Sequence, residues 1–149
     1  MRRRIPDQAI LVAYTILALG VLAAPAQAQD FDCSKPEDLP QMGLTWCAGQ
    51  EFQKTDAELN ALWPKLMADA KARDADSADF IKDLGVPTTQ QALRAAQRAW
   101  IDFRDRQCEL ESYEALGGSM QPMLAESCKA DMTRKRIAEL STLFDDTGR

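Results

Sequence analysis

The chain has 149 residues, a formal net charge of -5 and no histidine. The missing imidazole removes the commonest general base and zinc ligand, and the acidic balance disfavours nucleic acid and anionic lipid while favouring basic partners. With 46% hydrophobic residues, the chain is of a size and composition for one globular domain.

The first residues run from the basic stub "MRRR" through the apolar stretch "AILVAYTILALGVLAAP" to the small-residue pattern "AQA" at Ala26 to Ala28. That order reads as a secretory signal peptide over residues 1–28, cleaved before Gln29. The apolar run is short for a spanning helix, and Cys33 follows Asp30, Phe31 and Asp32 rather than a lipobox. The mature protein is therefore expected to be periplasmic or secreted, without a stable membrane anchor. Loss of Arg2, Arg3, Arg4 and Asp7 with the signal takes the formal charge from -5 to -7.

Residues 29–43 hold two prolines and no sustained apolar period, which predicts an extended N-terminal arm. From Leu44 onward, Phe52, Leu59, Leu62, Trp63, Leu66, Met67 and Ala70 recur at helical steps, with Pro64 implying either a kink or two shorter helices. The segment "DAKARDADSADFIKDLGVP" reads as a solvated connector. Its aspartates do not make a calcium loop, because counting from Asp74 the glycine and glutamate positions hold Asp79 and Gly85.

Thr88 and Gln91 are spaced as a capping box, so the next helix is expected to start near Thr89. Along it, Leu93, Ala96, Trp100, Phe103, Gln107 and Leu110 follow the period, and Trp100, Phe103 and Cys108 are expected to build the packed clamp. Arg104 sits at the edge of that face, either with its guanidinium in water or enclosed and paired. Gly117 and Gly118 should end the helix, and Pro122 can open the last one, which carries Cys128, Met132, Thr133, Ile137, Leu140 and Phe144. Arg136 lies beside that apolar row, whereas Arg134 and Lys135 read as solvated. The fold class is thus all-α, a small disulfide-clamped bundle of about three main helices over residues 44–144, with 145–149 as a frayed tail.

Cys33, Cys47, Cys108 and Cys128 are an even set in an exported chain and read as two disulfides. Three connectivities are open. Cys33–Cys47 and Cys108–Cys128 are favoured because each pair brackets a short segment with loop signals beside a predicted helix end. A zinc site would need close pairs such as C-x-x-C, which are absent, so no metal and no cofactor are expected. "GGSM" lacks the second flanking glycine and the strand of a nucleophile elbow, and no catalytic residue is assigned.

Taken together, "LRAAQRAWIDFRDRQC", "GGSM", Cys128 and "TRKRIAEL", with "CAGQEFQKTDAELNALWPKL" upstream, resemble the LprI-type lysozyme-inhibitor domain family. The positions that carry the resemblance are Asn60, Gln97, Trp100, Arg104, Cys108, Gly117, Gly118, Ser119, Cys128, Thr133 and Arg136. Asn60, Gln97, Trp100, Arg104, Thr133 and Arg136 look architectural. The resemblance implies a small helical, disulfide-bonded, extracytoplasmic domain that inhibits lysozyme. The expected activity is inhibition of a basic lysozyme or related peptidoglycan hydrolase by occlusion of its sugar-binding cleft. The candidate contact residues lie in "EALGGSMQPM" and just before it: Tyr113, Gly117, Gly118, Ser119, Met120 and Met123. The alternative is a non-catalytic periplasmic binding or envelope-assembly module.

Overall fold

The computed structural model describes residues 30–145; the signal peptide, its cleavage point and residues 146–149 lie outside the described residues. Among the described residues the chain is all-helical: α1 spans Gln41–Asp76, α2 Ala78–Leu84, α3 Thr89–Ser112 and α4 Gln121–Leu143, with 3-10 turns at Pro36–Asp38 and Tyr113–Ala115. There are four helices rather than about three, because the segment read as a connector continues α1 to Asp76 and then forms α2. α2 stops at Gly85, whose φ of 62° is the left-handed conformation that glycine adopts without strain.

Proline does not divide α1. Pro64 lies inside the unbroken helix, and both it and Asn60, whose carbonyl loses its usual helical donor, are exposed. Water can satisfy that carbonyl, so the helix survives a residue that would break it on a buried face.

The three long helices form one bundle. Gln41 Nε2 reaches Met123 Sδ at 3.5 Å at one end of α1, and Arg73 Nη2 donates to the Leu143 carbonyl at 3.0 Å near the other, so α1 and α4 run parallel. α3 runs against both, since Cys108 bonds Cys128 while Arg136, further along α4, reaches back to Gln97. The apolar core lies at the Arg73 end, where Leu59, Leu66, Ala70, Leu93, Leu140 and Phe144 pack with Trp63, Trp100 and Ile137 at their margin. The Arg73 guanidinium lies 4.5 Å from the centre of the Phe144 ring and covers that end.

Disulfides hold the opposite end. Cys33–Cys47 ties the N-terminal arm onto α1, whose first residue, Gln41, falls inside the segment read as arm. There Phe31 rests on Gly43, where an added Cβ would lie 2.9 Å from the ring, and tilts against Trp46 at 5.9 Å. Gly43 is a glycine because an aromatic ring occupies the place of its side chain.

Rotation of α3 differs from the sequence reading. Its buried residues are Leu93, Gln97, Arg104, Cys108 and Ser112, whereas Phe103 is 57% and Leu110 62% exposed. Phe103 therefore takes no part in the clamp. The cause is the polar content of the buried row: no buried side-chain nitrogen or oxygen among the described residues lacks a hydrogen-bond partner, so polar groups occupy the inner face at little cost.

The Thr88–Gln91 capping box forms in both directions. α1 adds a second cap that the sequence did not announce: Asp74 accepts from the backbone N–H of Thr89 and, at 3.1 Å, of Gln90. A carboxylate there opposes the positive end of the α3 dipole. Partial burial raises the Asp74 pKa, but donation from Gln90, Thr89 and Thr88 outweighs it and holds the carboxyl below its ordinary value. The contribution is therefore complete above the unfolded value of about 3.9 and is lost as pH falls through the lower folded value. Thermal unfolding followed from about pH 6 to pH 2 is expected to show a steeper acid-side loss for the native chain than for Asp74→Asn, and parallel curves would contradict this.

Candidate functional site

Two features of the bundle bear on function, an internal polar spine and the loop it supports. The spine begins on α1, where Asp56 accepts from Asn60 Nδ2 at 3.0 Å through one oxygen and from Arg104 Nη1 at 3.1 Å through the other. Arg104 also donates through Nε to Asp105 at 2.9 Å and through Nη1 to the Thr133 hydroxyl at 3.4 Å. Its guanidinium carbon lies 4.9 Å from the Phe52 ring centre and 5.3 Å from that of Trp100. Of the two environments open to Arg104, the fold supplies the enclosed and paired one, with the residue 6% exposed.

Arg136 extends the same assembly. Its Nε donates to Gln97 Oε1 at 3.2 Å, and its guanidinium stands 5.6 Å from the Trp100 ring centre. Asn60, Gln97, Trp100, Arg104, Thr133 and Arg136 thus meet in one connected set that links α1, α3 and α4. Arg134, by contrast, is exposed and pairs at the surface with Glu51 and Asp131. Asp56 and Phe52 are spine members that sequence reasoning missed. Asp56 had a signal, since it lies four residues before Asn60 and shares its helix row; for the Phe52–Arg104 contact there was none.

The second feature, the loop between α3 and α4, is internally ordered. Leu116 N–H donates to Tyr113 O, Gly118 N–H to Ala115 O at 2.8 Å and Gln121 N–H to Gly118 O. Gly117 has a φ of 75°, which an L side chain rarely adopts, and a Cβ on Gly118 would crowd the Ala115 carbonyl at 3.1 Å. Gln121 is the staple that the sequence did not reveal: its Oε1 accepts from Gly117 N–H at 2.9 Å and its Nε2 lies 3.5 Å from Ser112 Oγ. The Cys108–Cys128 bridge closes the loop from below, with a Cα–Cα distance of 5.4 Å.

Residues 116 to 120 are all exposed, as is Tyr113, whose hydroxyl donates to Glu109 at 3.4 Å. Ser119 is exposed, and its hydroxyl makes no hydrogen bond to another described residue. Met120 is 45% exposed, whereas Met123 is half-buried at the Gln41 side chain and stands back from the loop tip. No group of histidine, cysteine, aspartate or glutamate among the described residues is arranged to hold a metal ion.

Fold and site define a class: a small, two-disulfide helical frame with an internal arginine spine and an ordered, exposed Gly-Gly-Ser loop at one end. The family model described as Lysozyme inhibitor LprI matches residues 33–140, and the chain belongs to that family. An uncharacterized protein, R02472 of Rhizobium meliloti (strain 1021), is 43% identical over 133 residues, covering 89% of this chain and 93% of the relative. The uncharacterized protein YecT of Escherichia coli (strain K12) is 28% identical, covering 85% of this chain and 88% of that protein. No solved structure matches. No helix among the described residues is long and apolar enough to cross a membrane.

Proposed function

We propose that the protein is an exported, non-enzymatic inhibitor of lysozyme or a related peptidoglycan hydrolase, and that it acts by lodging the 113–120 loop in the sugar-binding cleft. The observation that carries this reading is membership of the inhibitor family over residues 33–140. Two disulfides and the apolar leader fit an oxidising compartment, periplasmic or secreted. A chain of formal charge -5, or -7 without its leader, is drawn toward a basic partner.

In this reading the loop is ordered before binding, so little conformational freedom is lost on association. The Ser119 hydroxyl donates to a catalytic carboxylate, Tyr113 and Met120 supply apolar contact, and Gly117 and Gly118 keep the tip narrow. Met123, half-buried against the Gln41 side chain, stands behind that contact. A second reading, a binding or envelope-assembly module without inhibition, draws on the inward direction of most of the spine: Gln97, Trp100, Arg104, Thr133 and Arg136 are buried or half-buried, serve the frame and fix no particular partner.

Slowing of lysozyme in a cell-wall turbidity assay tests the loop. Ser119→Ala is expected to weaken inhibition about tenfold, and deletion of Gly117 and Gly118 to abolish it, with helical circular dichroism unchanged in both. Unaltered inhibition in both variants would remove the loop from the mechanism.

A further inference from the structure

Phe103 and Leu110, at 57% and 62% exposure, are large apolar residues that α3 turns toward solvent. They are seven residues apart, two helical turns or about 10 Å, and so lie on one row. The row leads into the loop: Tyr113 follows at 46% exposure, then Leu116 at 69% and Met120 at 45%. Exposed carboxylates flank it at Asp102, Glu109, Glu111 and Glu114, and Arg106 is the exposed base within that stretch; Arg94 and Arg98 are exposed nearer the start of α3, and Arg104 is enclosed. An apolar centre inside a charged rim is the ordinary build of a protein–protein contact.

We propose that this row extends the contact made by the loop, so that a basic peptidoglycan hydrolase docks along the outer side of α3 as well as on residues 113–120. The inference rests on the inhibitor reading and deepens it. A stable interface takes about 800 Å² from each partner and some 20 residues a side, more than an eight-residue loop offers. The row supplies the missing area from the helix that leads into that loop. Charge selects the occupant: pairing with a second copy would set the acidic rim against itself, whereas a basic surface neutralises it.

The test measures binding of a basic lysozyme by calorimetry to the native chain, to Phe103→Ser/Leu110→Ser and to Phe80→Ser/Leu84→Ser. The last pair lies on α2, beyond the far end of α1, and is 73% and 71% exposed. The α3 pair is expected to weaken binding at least about tenfold without shifting the thermal midpoint, and the α2 pair to leave it within about twofold. As a check that does not remove apolar surface, Glu111→Gln/Glu114→Gln is expected to slow association severalfold at low salt.

Native-like binding by the α3 pair, with Ser119→Ala weakened, would confine the contact to the loop and overturn the inference alone. Greater loss in the α2 pair would place the contact at the other end. A dimer in sedimentation that the α3 pair dissociates would show that the row covers itself. If the native chain binds no lysozyme of any type, the inhibitor reading falls and this inference with it.

Discussion

Arg104→Ala is expected to destabilise the protein by about 3 kcal/mol, seen as a lower denaturant midpoint with an unchanged slope. The ion pairs supply the smaller part. The Asp56 and Asp105 side chains are 39% and 51% exposed, so each pair is screened and is worth about 1 kcal/mol or less. The larger part comes from burial. The side chain is 7% exposed, and truncation leaves the Thr133 hydroxyl without its donor and a gap between Phe52 and Trp100 in place of a cation on two rings. Arg104→Lys keeps the charge but not the planar fork and is expected to cost about half as much. A loss below about 1 kcal/mol for alanine would mean that the spine does not hold the helices together.

Removing the second disulfide should be comparably severe. Cys108→Ser/Cys128→Ser opens a loop of sequence separation 20, for which chain entropy gives about 3 kcal/mol. Cys108 is fully buried and Cys128 9% exposed, so packing is lost as well. Cys33→Ser/Cys47→Ser, of separation 14, has nearly the same entropic value but releases only an arm whose Phe31 rests on Gly43. It is expected to free the arm to proteases while moving the global midpoint less. Equal shifts for the two pairs would contradict this division of labour.

Much of the frame was legible because its signals are local. The Thr88–Gln91 box marks the start of α3 and Pro122 the start of α4, since each satisfies or forgoes backbone donors that a helix N-terminus cannot bond internally. The even cysteine count, in a chain whose first residues read as a signal peptide, announced two bridges. What stayed hidden depends on tertiary partners. The continuity of α1 through Pro64 requires knowing that this face meets water. The rotation of α3 requires knowing that Gln97, Arg104 and Ser112 find partners inside, because hydrophobic spacing alone favours the row of Phe103 and Leu110. At the site, Gly117, Gly118 and Ser119 could be picked out as a turn, but the Gln121 staple and the Phe52–Arg104 contact are set by tertiary neighbours that no spacing rule encodes.

The central claim is that this acidic, pre-ordered frame blocks a basic hydrolase at its sugar cleft. Its most direct test is a turbidity assay with purified protein lacking residues 1–28, set against several lysozyme types over a range of substrate concentrations. Occlusion predicts competitive inhibition by micromolar protein, with KM raised and kcat unchanged. No slowing of any lysozyme, or a fall in kcat at constant KM, would contradict it.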